Sequence, residues 1–154
     1  MGDFVEPGTN EANPHVRAPR SWYVESLRQI RKAAGYPVRA ILVSDGKENE
    51  LQELLVEENI SLVRTGSAIG DLLLLSQSKV LIASAGSSFS AWSAFLGQMP
   101  SIAHPSKSFE WFNLINQKGS YLGGFDPLEP DDLFLRQVEV VFAGTETKTY
   151  PPVS

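Results

Sequence analysis

The stretch Gly70-Asp71-Leu72-Leu73-Leu74-Leu75-Ser76-Gln77-Ser78-Lys79-Val80-Leu81-Ile82-Ala83-Ser84-Ala85-Gly86-Ser87-Ser88-Phe89-Ser90 decides how the rest of the chain is read. It opens with an acid at a helix start, continues as an apolar helix, and passes through Gln77-Ser78-Lys79 into a short apolar strand. Small residues then turn into a second helix that carries aromatic side chains. A strand that ends in Ser and Gly and feeds a helix aims unpaired backbone N–H groups at one point, where the helix dipole adds positive potential. That arrangement suits a phosphate or another anion. The turn at residues 84–88 is therefore expected to hold a nucleotide-like ligand.

Outward from this stretch the same alternation repeats. Ser21 can cap a helix with Tyr23, Leu27, Ile30 and Ala34 on one face and Gly35 at its end. Residues 38–43 read as a strand, Ser44-Asp45-Gly46 as a turn, Leu51, Leu54 and Leu55 as a helix, and 60–63 as the next strand. Residues 69–77 are apolar enough that a largely buried helix is expected, and 80–83 follow as the third strand. The helix over 88–96 is expected to turn Phe89, Trp92, Phe95 and Leu96 inward and to stop at Gly97, before a fourth strand at 100–103. Such alternation marks a parallel sheet covered on both faces, so the expected fold is α/β and Rossmann-like. Beyond it, 109–115 read as a helix, 119–130 as a loop, 138–142 as an extra strand, and 145–154 as a frayed end around Pro151-Pro152. The expected division is an irregular N-terminal segment (1–20), the domain (21–115) and an irregular C-terminal extension (116–154).

Composition narrows the function classes. A chain of 154 residues with 42% hydrophobic content can bury one real core. Its net charge of -5 leaves no basic stripe for nucleic acid, although local dipoles and one or two cations can still hold a single diphosphate. Without cysteine there is no disulfide, thiolate metal site or Cys nucleophile. His15 and His104 lack metal-ligand spacing, so no metal is expected. No apolar run reaches about 18 residues, so no transmembrane segment is expected. The start Met1-Gly2-Asp3-Phe4 has no signal-peptide pattern, and Glu6 stands where myristoylation needs Ser or Thr. The expected location is cytoplasmic.

In open α/β sheets ligands sit outside the carboxyl ends of the strands. Those ends carry Ser44-Asp45, Arg64-Thr65, residues 84–88 and His104. Ser87 and Ser88 can bond phosphate oxygens, or one of them can simply cap its helix. Asp71 can accept from a base amino group, or it can sit at its helix start because the dipole favours a carboxylate there. Asp45 can meet a ribose hydroxyl or merely begin a turn. Arg17 and Arg20 lie in a Pro-flanked loop within reach of a diphosphate or of solvent alone. His104 stands at a strand end with either a site role or a structural hydrogen bond. Trp111 and Phe112 can stack on a sugar or form half core and half rim. A receiver domain would need an acid where Ser84 and Ala85 stand, and no Gly-x-Gly-x-x-Gly, Gly-Lys-Ser/Thr or Gly-x-Ser-x-Gly motif occupies the required place.

Residues 67–97, with Asp71-Leu72-Leu73-Leu74-Leu75-Ser76 followed by Gly86-Ser87-Ser88-Phe89-Ser90-Ala91-Trp92, resemble the C-terminal signature of GDP-fucose-dependent fucosyltransferases. The similarity is to the α-1,2-fucosyltransferase-like proteins and their bacterial polysaccharide relatives. Trp22-Tyr23-Val24-Glu25-Ser26-Leu27, Ile41-Leu42-Val43-Ser44-Asp45 and Trp111-Phe112-Asn113 extend it over roughly residues 1–115. The resemblance implies the C-terminal half of a GT-B-like glycosyltransferase, with two Rossmann-like halves facing across a cleft. It implies that Asp71 reads guanine and that Ser87, Ser88 and Phe89 hold the diphosphate. The implied reaction is metal-free, inverting fucosyl transfer to a glycan acceptor, driven by stabilising charge on the leaving diphosphate. The family's His-x-Arg-Arg-Gly-Asp element does not precede the region; only Gly2-Asp3-Phe4 follows Met1. The chain is therefore expected to be half of such an enzyme, as a fragment, a truncated product or one component that needs a partner chain for the other half, with no catalytic base named. A non-catalytic nucleotide-binding module and a protein-interaction domain are the alternatives.

Overall fold

A computed structural model describes residues 18–57, 59–84, 86–106 and 119–144. Among them are five helices and five strands in the order α1 (Arg20–Ala34), β1 (Ala40–Leu42), α2 (Glu48–Leu55), β2 (Ile60–Leu62), α3 (Ala68–Ser76), β3 (Leu81–Ile82), α4 (Ser88–Gly97), β4 (Ser101–Ala103), β5 (Leu122–Gly124) and α5 (Asp132–Ala143). Every ladder is parallel. β1 pairs with β2 in the register Ala40↔Ile60, and β3-β4-β5 form a second group with Leu81↔Ser101 and Ser101↔Leu122. Parallel neighbours need a crossover, which α2 provides between β1 and β2 and α4 between β3 and β4. The chain is thus a mixed α/β protein with small parallel sheets.

Two cores lie on opposite faces of the three-stranded sheet, as the two-residue period of a strand requires. Ile102 of β4 and the half-buried Ile82 of β3 join Trp22 and Ile30 of α1 and Phe134, Val138 and Phe142 of α5. Their neighbours Leu81, Ala83 and Ala103 turn the other way, against Ala91 and Ala94 of α4 and Met99. Burying a side chain such as Phe134, Ile102 or Val138, each fully inaccessible, stabilises the fold by about 1.5–3 kcal/mol. The β1–β2 pair is less well covered: all six of its residues are half-buried, and α2 has no buried residue.

Several elements depart from expectation. Ser21 is not a cap. Helix α1 begins one residue earlier behind Pro19, whose carbonyl accepts from Trp22 N–H at 3.0 Å, and it ends as expected at Gly35 in the left-handed region (φ 81°). Helix α3, expected to be largely buried, has no buried residue, because it packs mainly on α4 rather than into a core. Helix α4 turns Ser90, Ala91, Ser93 and Ala94 inward and leaves Trp92 and Leu96 exposed. Small residues allow the close approach, since Ser93 Oγ donates to Leu72 O at 3.4 Å and a Cβ on Gly97 would collide with the Ser76 carbonyl. Gly97 is therefore the last helical residue, needed for packing, while Gln98 (φ 51°) makes the left-handed stop.

The C-terminal region is not an irregular extension. Residues 119–130, read as a loop, contain β5, which completes the sheet beside β4. Residues 138–142, read as a strand, belong to α5, whose cap Asp131 accepts from Leu133 and Phe134 N–H groups at 2.8 and 3.2 Å. Phe134, Val138 and Phe142 recur every four residues on its buried face, against α1. The expected segments 109–115 and 145–154 lie outside the described residues.

Candidate functional site

Helices α2, α3, α4 and α5 each follow a strand and start at its carboxyl end. Helix α1 starts at the same edge, because Trp22 in its first turn donates Nε1–H to Phe125 O just beyond β5 at 2.8 Å. This edge collects the helix N-termini, and with them the unpaired N–H groups and positive dipole ends.

The outer strand β3 of the three-stranded sheet leads into the β3–α4 turn. Gly86 takes φ 68°, a left-handed conformation that a glycine enters without strain, and redirects the chain into the helix. Ser87 is the cap: its Oγ accepts from Ser90 N–H at 3.3 Å, and its own N–H donates to Ser84 O at 3.2 Å. Ser90, buried under the turn, accepts from Ser84 N–H through Oγ at 3.4 Å. Ser84 and Ser90 thus brace the turn from inside. The N–H groups of Ser88 and Phe89 take no partner among the described residues, and the Ser88 side chain is exposed. Of the expected phosphate contacts, then, Ser87 Oγ is engaged in the helix cap, whereas the Ser88 hydroxyl and two amides face outward.

Beside it, α3 begins in a tight polar knot. Asp71 Oδ1 accepts from Thr65 N–H at 2.8 Å, Ser67 Oγ accepts from Gly70 N–H at 3.0 Å, and Thr65 Oγ1 donates to Ser67 O at 3.0 Å. Gly70 is required here, because a Cβ would run into Thr65 Oγ1. One oxygen of Asp71 therefore holds the loop before its own helix. Because α3 and α4 run parallel, with Leu72 beside Ser93 and Ser76 beside Gly97, this knot is adjacent to the α4 turn.

The remaining expected residues are more scattered. Asp45 is exposed in the turn after β1 and makes no hydrogen bond among the described residues; its turn is closed by Gly46 N–H donating to Ser44 Oγ at 3.0 Å. Arg64, which follows β2, donates to Ser44 O at 3.1 Å and to Gly46 O at 2.5 Å, tying the two strand ends together. Arg20 lies in the first turn of α1 and pairs with Glu53 of α2 at 3.5 Å, both side chains being exposed. Arg17, Trp111 and Phe112 lie outside the described residues.

His104, directly after β4, packs edge-on against Trp22 at 5.6 Å between ring centroids. Its Nδ1 is 2.8 Å from Ser106 Oγ. Burial lowers the imidazole pKa from 6.5, with the nearby Asp126 carboxylate pulling the other way. The imidazole is thereby biased towards the neutral form, able to accept a proton. Ser90, Trp22 and Asp126 are the edge residues that sequence reasoning did not single out as site residues, whereas Thr65 stands at one of the strand ends it named. Thr65 and Ser67 before Gly70-Asp71 carry a capping pattern that signals the knot, whereas nothing local links Trp22 to Phe125.

The chain matches no protein-family model, no curated protein and no solved structure. What the coordinates define is an α/β protein with parallel strands whose carboxyl edge gathers two polar helix starts. Among the described residues no group of three or more His, Asp or Glu is placed to hold a metal ion. Among the same residues no helix is long and apolar enough to cross a membrane.

Proposed function

We propose that this chain is the Rossmann-like donor-binding half of a GDP-fucose-dependent glycosyltransferase of the fucosyltransferase type, corresponding to the C-terminal half of a GT-B-like enzyme. The observation that carries the reading is the β3–α4 turn, where the Ser88 and Phe89 amides and the Ser88 hydroxyl take no partner among the described residues at a helix N-terminus. A diphosphate placed there accepts two N–H bonds and one O–H bond in the field of the α4 dipole. Ser87 contributes indirectly, by fixing the first turn of the helix. Asp71, one of whose oxygens is engaged by Thr65, offers its other oxygen to the amino and imino hydrogens of guanine.

In this reading the transfer needs no metal. As the fucosyl C1–O bond breaks, the electron pair and negative charge move to the GDP β-phosphate, and the α4 amides stabilise that charge. The acceptor glycan, its activating base and the second half of the cleft come from outside the described residues or from a partner chain. A non-catalytic nucleotide-binding module is the second reading. It is favoured by Arg64, whose guanidinium is turned to the Ser44 and Gly46 carbonyls and not to the α4 turn.

Calorimetric titration of the 154-residue chain with GDP, with UDP as control, tests the proposal. Micromolar to low-millimolar binding of GDP alone, abolished by Ser88→Trp, supports donor binding. Heat with neither nucleotide, or equal binding of both, refutes it. Transfer of fucose from GDP-fucose to a glycan by the chain mixed with an acceptor-binding domain separates the enzyme from the binding module.

A further inference from the structure

A continuous apolar face covers the outside of the α3–α4 pair, away from the edge just described. In α3, Leu72 and Ser76 face α4, while Leu75 packs against the core. By helical periodicity Ile69 and Leu73 then point outward and towards α4. In α4, Ser93 and Gly97 face α3, and Ser90, Ala91 and Ala94 face inward, which places Trp92 and Leu96 outward and towards α3. By their positions on the two helices the four side chains share this outer face, and they remain 72%, 48%, 56% and 52% exposed for Ile69, Leu73, Trp92 and Leu96 respectively. Together they leave on the order of 500 Å² of apolar surface in water, at the upper end for the largest patch of a monomer.

We infer that this face joins two copies of the chain about a two-fold axis, with Trp92 of each copy seated in the α3–α4 groove of the other. Three observations select a second copy as the occupant. A standard interface takes about 800 Å² from each partner, of which about 65% is apolar in self-associating proteins, or roughly 500 Å². The exposed apolar area matches that requirement. Second, a two-fold contact sets each residue type against the same patch, so a charged patch meets its own sign. Across α3 and α4 the one charged residue is Asp71, and its carboxylate is bonded to Thr65 N–H. By contrast α2, with Glu48, Glu50 and Glu53 and no cation, would set acid against acid. A chain of net charge -5 can therefore self-associate through α3–α4 without setting like charges against each other. Third, a lipid surface is read by Lys and Arg on the polar flank of an apolar helix, and neither helix carries one. This inference stands apart from donor binding and survives if that reading fails.

Sedimentation equilibrium of the purified chain tests it, with far-UV circular dichroism as the folding control. The wild type is expected as a dimer with Kd on the order of 10 μM. Trp92→Glu and, separately, Leu73→Glu are expected to raise Kd at least roughly tenfold with unchanged helicity. Val140→Glu, which changes a still more exposed apolar residue on α5, leaves the dimer intact. The inference is overturned by a wild type that stays monomeric at roughly 100 μM. Association that survives both charged variants, or that is lost equally in Val140→Glu, overturns it too. A monomer that instead captures another protein or vesicles through Trp92 also overturns it.

Discussion

Ser87 and Ser88 are adjacent and chemically identical, yet only Ser87 caps α4, and under the proposed function alanine substitutions should separate them. Ser87 Oγ accepts from Ser90 N–H at 3.3 Å and closes the first turn of α4. Losing that cap costs about 1 kcal/mol of stability, within a usual range of about 0.5–2. With a urea dependence of about 2 kcal/mol per molar, the unfolding midpoint of Ser87→Ala should fall by about 0.5 M. Ser88 is exposed and caps nothing, so Ser88→Ala should change stability by less than about 0.5 kcal/mol. Its loss should appear in GDP titration. A hydroxyl bond to a charged phosphate contributes about 1.5–3 kcal/mol, a roughly ten- to hundredfold weakening. Urea melts followed by circular dichroism, paired with calorimetric titration, read both quantities on each variant. The reasoning is refuted if Ser87→Ala leaves the midpoint unmoved, or if Ser88→Ala shifts the midpoint and spares GDP affinity.

Three further outcomes follow from the packing and the titrating groups. Phe134→Ala empties a fully buried site between α5 and the sheet and should cost about 3–5 kcal/mol by urea denaturation; a cost under about 1 kcal/mol would mean that α5 is peripheral. Trp22→Phe leaves the Phe125 carbonyl without its 2.8 Å donor and should cost about 2–4 kcal/mol, with faster hydrogen exchange around β5 as the local readout. His104 has its pKa lowered from 6.5 by burial, so below that pH the unfolded chain binds more protons than the folded one. Its contribution to stability is full above pH 6.5 and declines as pH falls towards the depressed folded value. His104→Gln should therefore flatten the change in urea midpoint between about pH 7.5 and about pH 5.5; an unchanged slope would contradict the placement of the imidazole.

Most elements between residues 20 and 103 are legible because Gly, Pro or Ser stands near their ends and each carries its own apolar pattern. The errors have identifiable causes. Residues 138–142 contain Val138, Val140, Val141 and Phe142, apolar enough over five residues to pass for a strand. Only the longer spacing from Phe134, and the capping Asp131, reveal the helix. β5 was obscured by Gly123-Gly124, a pair disfavoured in strands; here Gly124 lies under Pro105, whose Cα would be 3.2 Å from an added Cβ. The burial of α3 was misjudged because composition reports how apolar a helix is and not how much partner surface exists to cover it. At the candidate site, the α4 turn and its cap could be read locally, as could the acid at the start of α3. What Asp71 actually holds could not, since the loop before its helix brings the Thr65 N–H against its carboxylate. The Trp22, His104 and Phe125 cluster joins residues far apart in the chain, and no local pattern encodes it.

The central claim is that the start of α4 grips the diphosphate of a guanine nucleotide. Two-dimensional ¹H–¹⁵N correlation spectra of the labelled chain, recorded during titration with GDP and separately with UDP, test it at single-residue level. The expected result is a saturable shift of the Ser88 and Phe89 amides with GDP, accompanied by Thr65 and Asp71, and a much weaker response to UDP. Unmoved Ser88 and Phe89 amides at saturating GDP, or shifts centred elsewhere in the chain, would contradict it.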